Sequence, residues 1–358
     1  MARPDDDRRG AVMDAEESTE EVTTADAEAV KPGARDLSLD TMAGVLIILV
    51  VIGHAIEPLE GRMSEALLQW IFLFHMPAFV FLSGYLTRWA STTSARALAE
   101  RLLFPFVVFE LLHFALASIV SPDPTGISPL TPAWTLWYLV ALFVWRLGAP
   151  WISRIPAAVT LAACAALLAG TVDVIGEELS LSRIIGFLPF FAAGLLWQDE
   201  WWDRVRTPGM RAAAALSFVV AFAWSWSSHA DVDRSALFLS SSYGDLGVID
   251  AAGIAQRAGV LAVGGLLTVA LMAFSGPVSG RLASVGAATL SVYLLHPLVL
   301  MPSHERGFPE GWSEAVLLPA LIVGSITFAW LASRPRVVAA TRPLMDLRWW
   351  RERLGQRA

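Results

Sequence analysis

The chain has 358 residues and a formal net charge of −7, with 55% hydrophobic and only 16% charged residues. A soluble chain carries ~25% charged residues, and here the mean hydropathy is +0.56. A single cysteine, Cys164, excludes an intramolecular disulfide and sits in an Ala/Leu-rich block as a small packing residue.

Residues 1–36 carry most of the acidic excess and almost no large apolar side chain, which predicts a disordered acidic cytoplasmic tail. It lacks the apolar core of a signal peptide, and nothing in the charge pattern points to nucleic acid. Residues 37–335 read as one all-α membrane domain, a polytopic helix bundle. Apolar blocks near the ~20 residues needed to cross a bilayer predict about ten spans: 40–57, 66–86, 102–120, 133–148, 154–171, 183–198, 211–228, 257–275, 284–302 and 314–333. The fourth is short, and the sixth contains Pro189. Between 229 and 256, the Ser/Asp/Gly content predicts an exposed polar loop. Arginines concentrate in alternate connections, including Arg88, Arg96, Arg101, Arg146 and Arg154, whereas Arg62, Arg183, Arg234, Arg257 and Arg306 fall in the others. The positive-inside rule then places both termini in the cytoplasm of a multi-pass cell-membrane protein. Residues 336–358 form a basic cytoplasmic tail, with Arg348-Trp349-Trp350-Arg351 as a juxtamembrane lipid anchor. A lone lysine, Lys31, among 26 basic residues is the usage of a GC-rich bacterial source.

The costliest residue is His54, near the end of the apolar run that starts at Gly44. Ionisable side chains inside spans face a bundle interior or a wet cavity and mark function. At 1.5 Å per residue, His54 lies ~21 Å from Asp40, His75 ~20 Å from Arg88, His113 ~18 Å from Arg101 and His296 ~22 Å from Arg281. Four spans thus bring histidines to one depth. Glu57 follows His54 by three residues and Glu110 precedes His113 by three, so each pair shares a helix face. A carboxylate beside an imidazole fixes its tautomer and supports its charge. Glu110 with His113 reads equally as a polar contact between helices. His75 before Pro77 and His296 before Pro297 equally satisfy carbonyls freed by the prolines. The chain has no His-x-x-x-His pair or cysteine cluster for a metal, no phosphate-binding glycine loop, and no Gly-x-Ser-x-Gly elbow.

Asp40-Thr41-Met42-Ala43-Gly44, running on to Gly53-His54, resembles the first span of the membrane acyltransferase-3 family, in its fucose 4-O-acetylase-like branch. Phe74-His75-Met76-Pro77 with Ser83-Gly84-Tyr85 is similar to that family's second span. Arg101-Leu102-Leu103-Phe104-Pro105, Leu136-Trp137-Tyr138-Leu139 and Leu290 to Pro297 match later, shorter elements, so the resemblance covers roughly 35–335. One departure is Ala43, where the family carries a basic residue three positions after the aspartate; Arg35 is the candidate replacement.

The resemblance implies transfer of an acyl group, usually acetyl, from cytoplasmic acetyl-CoA to a hydroxyl of a sugar or cell-envelope glycan. It implies no permanently bound cofactor. On that reading His54 is the general base, with Glu57 or Glu110 orienting it. Arg101, Arg96 and Arg35 receive the donor's phosphates, with Asp40 beside that entrance. Ser83, Tyr85, Tyr138 and Tyr293 line the passage or stabilise the oxyanion, and His75, His113 and His296 complete the polar layer. A carrier that moves a glycan, lipid or small polar molecule without chemistry is the alternative. Carriers commonly show repeats between their halves, and none is visible here. A catalytically silent family member is the third reading.

Overall fold

The computed structural model describes residues 37–89, 94–121, 131–172, 180–230, 232–276, 280–308 and 311–355, and every regular element among them is helical. Arg35 and the acidic stretch 1–36 lie outside the described residues.

Helix α1 (Leu37–Ile56) runs through the centre of the bundle. Beside it α2 (Arg62–Phe72) and α3 (His75–Thr87) make one interrupted, mostly buried span. Helices α4 (Ala95–Val120), α5 (Trp137–Ile152), α6 (Ala158–Ala169) and α7 (Leu181–Leu195) follow. A short α8 (Glu200–Val205) leads to α9 (Pro208–Ser228), α10 (Arg234–Phe238) and α11 (Asp250–Ala273). Next come α12 (Gly280–Ala287), α13 (Thr289–Arg306), α14 (Glu314–Ala332), α15 (Pro335–Met345) and α16 (Leu347–Arg353). Starts are chemically marked: Ser94 accepts from Ala97 N–H, and Thr207, with Pro208 behind it, accepts from Met210 N–H.

Among the described residues, six helices, or seven counting the pair α12–α13, are long and apolar enough to cross a membrane, fewer than the ten predicted. Helices occur at all ten positions, but α5, α6 and α7 have 16, 12 and 15 residues. At 1.5 Å per residue they rise only ~18–24 Å against a hydrocarbon core of ~30 Å. Left-handed backbone at Ala157 and Ser180 cuts α6 and α7 at their first turns. The pair α12–α13 bends by 74° around Ala288. Helices α4, α9, α11 and α14 leave most of their apolar surface exposed, which is the surface a bilayer covers.

Two glycine contacts hold the centre. Added methyls at Gly44 and Gly286 would overlap Leu282 O and Asp40 O respectively, so α1 and α12 touch backbone to backbone. Gly84 and Gly194 do the same between α3 and α7, facing Phe191 O and Phe81 O. Association within lipid depends on such close packing, because hydrocarbon offers no competing hydrophobic gain. The glycines of the Asp40-to-Gly44 and Ser83-Gly84-Tyr85 motifs are therefore packing residues.

One sequence expectation is corrected. The 229–256 segment is no exposed loop: α10 and the following turns bury Leu237, Leu239, Ser240, Ser242 and Tyr243. Arg257 lies inside α11, buried, donating to Ala166 O and Ser241 O and covering the Tyr243 ring. The 336–358 stretch is folded as far as Arg353, where Arg351 grips Glu100 of α4 with two 2.7 Å bonds. Trp350 donates to Pro343 O.

Replacing Gly286 with Ala forces backbone apart and is expected to cost about 1–3 kcal/mol, lowering the thermal midpoint in detergent by several degrees. Gly324→Ala on α14, where nothing lies within 4 Å, is expected to change it little; equal midpoints for both variants would contradict the close-packed centre.

Candidate active site

His54 occupies the last turn of α1, and the chain turns immediately after it at Glu57. The sequence spacing returns here as contact: His54 Nδ1 donates to Glu57 Oε2 at 3.1 Å. A carboxylate only accepts, so Nδ1 carries the proton, and in the neutral ring Nε2 carries the lone pair. Nε2 makes no hydrogen bond to a described residue. The two side chains remain 15% and 22% exposed, enough for a substrate to reach them. Burial by itself pushes the Glu57 carboxyl up. The His54 hydrogen bond and the charges of His54, His304 and Arg234 outweigh it and hold the group below its ordinary value. Arg234 also donates to Glu57 O at 3.2 Å and faces Glu65 at 3.8 Å.

One helix and one connection converge on the imidazole. His296 of α13 stacks on His54 with ring centroids 5.5 Å apart. His304, two turns further, donates Nε2–H to His54 O at 2.7 Å. Trp134 precedes α5, meets His54 edge-on at 5.0 Å and His304 at 4.3 Å. Its φ of 40° lies in the left-handed region, which costs a non-glycine residue ~1–2 kcal/mol. The neighbouring groups hold it there. Ala133 N–H donates to both Glu110 oxygens at 3.1 Å, and Leu136 N–H donates to Ala133 O. Strain of this kind collects at functional sites.

A cavity of about 80 Å³ opens beside His54 and Glu57, walled by His75, Trp134, Trp137 and Phe187, with Arg183 on its rim. Phe72 lies between His54 and His75, at 5.9 and 4.9 Å from their rings. A second, ~20 Å³ space shares His54, Met76, Thr135 and Trp137 and continues inward to Tyr138 and Tyr293. There Tyr138 shares a 2.5 Å hydrogen bond with Ser83, and Tyr293 donates to Thr135 O. A larger cavity, about 620 Å³ between α9 and α11, has no ionisable lining residue and opens on exposed apolar helix faces. It offers room for hydrocarbon and no acid–base chemistry.

The residues singled out in the sequence separate into groups. His54, Glu57, His75, Tyr138 and Tyr293 line one or other of the two spaces, His296 stacks on His54 behind them, and Ser83 is bonded to Tyr138. His113 is buried within electrostatic reach of His296 and gives Nδ1–H to Phe109 O at 2.7 Å. Glu110 does not orient His54, nor does it bond His113; it holds Ala133 and thereby the Trp134 loop. His75 and His296 each bond a carbonyl one turn back, Ile71 O and Val292 O. Tyr85 is absent from both spaces: its hydroxyl donates to Asp199 Oδ1 at 2.9 Å, beside Arg88. Arg96 is solvent-facing and paired with Glu100 at 2.9 Å, while Arg101 lines a separate cavity of about 310 Å³. Asp40 lies in the first turn of α1, the far end from His54. Arg206 reaches that end, donating to Ser38 Oγ at 3.3 Å.

His304, Trp134, Thr135 and Arg183 were missed in the sequence. His304 is two turns past His296 and therefore shares its face, a signal that was present. Trp134 sits in a connection, and only the fold brings it over His54.

No solved structure matches the chain. Nodulation protein NolL of Mesorhizobium japonicum is 36% identical over 96 residues, 24% of this chain and 26% of that protein. Nodulation protein NolL of Sinorhizobium fredii is 27% identical over 196 residues, 48% of this chain and 51% of that protein. The chain thus spans about a quarter to a half of the curated relatives it matches. The family model described as an acyltransferase domain, Acyl_transf_3, matches residues 36–334, and the chain belongs to the acyltransferase-3 family.

Proposed function

We propose that the protein is a membrane O-acyltransferase that moves an acyl group, in the first instance acetyl, from cytoplasmic acyl-CoA to a hydroxyl of a sugar or envelope glycan. The observation that carries this reading is the His54–Glu57 pair, with an unpartnered Nε2 beside a cavity, inside a family of acyltransferases. His54 Nε2 takes the proton of the acceptor hydroxyl as its oxygen attacks the thioester carbonyl. The Glu57 carboxylate stabilises the imidazolium that results. When the tetrahedral intermediate collapses, the carbon–sulfur bond breaks and His54 returns the proton to the leaving thiolate. The Tyr138 hydroxyl, which can accept from Ser83 and keep its own proton to donate, stands at the inner end of the space and is suited to meet the developing oxyanion.

The acceptor approaches at the His54 end, where Trp134, Trp137 and Phe187 supply flat apolar walls and Arg183 a donor. The donor comes from the opposite end, where Arg101, Arg342 and Arg348 line the 310 Å³ cavity. With that arginine-rich end cytoplasmic, in line with the positive-inside rule, both termini face the cytoplasm. Arg101, Tyr138, Tyr293 and His54 then mark a path between donor and acceptor.

Protein reconstituted in vesicles with labelled acetyl-CoA and an envelope-glycan fraction is expected to label the glycan. His54→Ala is expected to lower transfer by about 10²–10⁴-fold while keeping a native-like thermal midpoint; normal transfer by this variant would falsify the base assignment. Trp134→Ala, which frees the His54 ring on one side, is expected to reduce kcat by about 10–10²-fold. An unchanged kcat would mean that the strained loop has no positioning role.

A further inference from the structure

Around the 310 Å³ cavity the charges do not balance, and the imbalance extends toward the site. The carboxylates there are already committed. Glu100 is gripped by Arg351 and also paired with Arg96. Asp346 pairs with Arg342 at 3.1 Å and caps Arg348 N–H. Arg101, on the cavity wall, makes no hydrogen bond or ion pair with a described residue.

Arg146 extends the imbalance inward. It lies on α5 two turns from Tyr138, a rise of ~12 Å, and is within electrostatic reach of both Tyr138 and Arg101. Its Nε is buried and has no hydrogen-bond partner, and no described carboxylate or carbonyl meets its guanidinium. The buried Nε of Arg146 lacks both solvent and a partner, and the exposed guanidinium of Arg101 within reach adds like-charge repulsion. Buried charges are otherwise paired, and an arginine fork matches phosphate oxygens. Arg146 and the cavity-wall Arg101, neither paired with a described carboxylate, make a site for a doubly charged anion.

We infer that Arg146, with Arg101, forms a phosphate-binding site that holds the pyrophosphate of the acyl donor, so that the donor's arm runs along α5 and α13 toward Tyr138, Tyr293 and His54. This deepens the acyl-CoA reading above and rests on it. Arg146 acts there as a binding and positioning residue, far from the reacting atoms. An anionic lipid headgroup offers the same phosphate chemistry, and the experiment separates the two sources.

Native protein and the variants Arg146→Gln and Arg146→Lys are purified into nanodiscs of neutral phosphatidylcholine. Binding is read as the thermal shift and as titration with coenzyme A, with an acyl-pantetheine lacking the pyrophosphate, and with phosphatidylglycerol added to the disc. Coenzyme A is expected to bind Arg146→Gln at least tenfold more weakly, Arg146→Lys less affected, and acyl-pantetheine equally to all three. Without ligand, Arg146→Gln is expected to melt no lower than the native protein, because the lost charge had no partner. Unchanged coenzyme A affinity in Arg146→Gln would overturn the site. An Arg146-dependent shift with phosphatidylglycerol and none with coenzyme A would overturn its assignment to the donor. Failure here stays distinct from failure of the transfer reading. Arg146-dependent coenzyme A binding by a native protein that transfers nothing would sink the transfer and keep the site; normal transfer and coenzyme A affinity in Arg146→Gln would do the reverse.

Discussion

The bond from His54 Nδ1 to the Glu57 carboxylate settles which ring nitrogen carries the proton at the end of an otherwise apolar helix. An imidazole there without a partner would be an expense with no return. With Glu57 it becomes a directed lone pair at Nε2 and a cation that can be supported once formed. The other contacts around it keep this geometry. His304 holds the His54 carbonyl, His296 stacks on the ring, and Trp134 closes its edge.

The bundle makes these contacts possible by approaching closely elsewhere. Gly44 and Gly286 let α1 lie against α12, which precedes the 74° bend into α13. That bend aims α13 so that Tyr293, His296 and His304 face α1 in succession. Gly84 and Gly194 draw α3 to α7, so Ser83 reaches Tyr138 and Phe187 joins the cavity wall. Packing residues and polar residues of the same sequence motif therefore have separate tasks: Gly84 fixes a helix crossing, and Ser83 beside it serves the polar track.

Much of this was legible from local spacing. The three-residue step from His54 to Glu57, the shared depth of His75 and His296, and the all-helical bundle follow from helical periodicity. Glu110 and Tyr85 show where spacing stops informing. Glu110 has the same step to His113, yet its carboxylate turns to the Ala133 backbone; Tyr85, in a long family-like motif, turns to Asp199. Both choices depend on neighbours distant in sequence. The span count erred for a related reason: hydropathy measures apolar length, whereas left-handed Ala157 delays the start of α6 to Ala158 and α7 ends already at Leu195, neither of which composition reveals. Arg146 read as a connection arginine because its charge suited the orientation, and only packing places its guanidinium inside.

The central claim is that the carboxylate–imidazole pair moves the proton during acyl transfer. The most direct measurement is the pH dependence of kcat and KM for acyl transfer by Glu57→Gln beside the native protein, in the same vesicles. Glu57 is held below its ordinary value, so the native carboxylate stays charged through the neutral range and its support fades only as acid protonates it. Glutamine is neutral at every pH. The account predicts that the variant loses about 10²-fold or more in kcat across neutral pH, with KM for donor and acceptor nearly unchanged. An unchanged kcat, or a loss expressed wholly in KM, would contradict it.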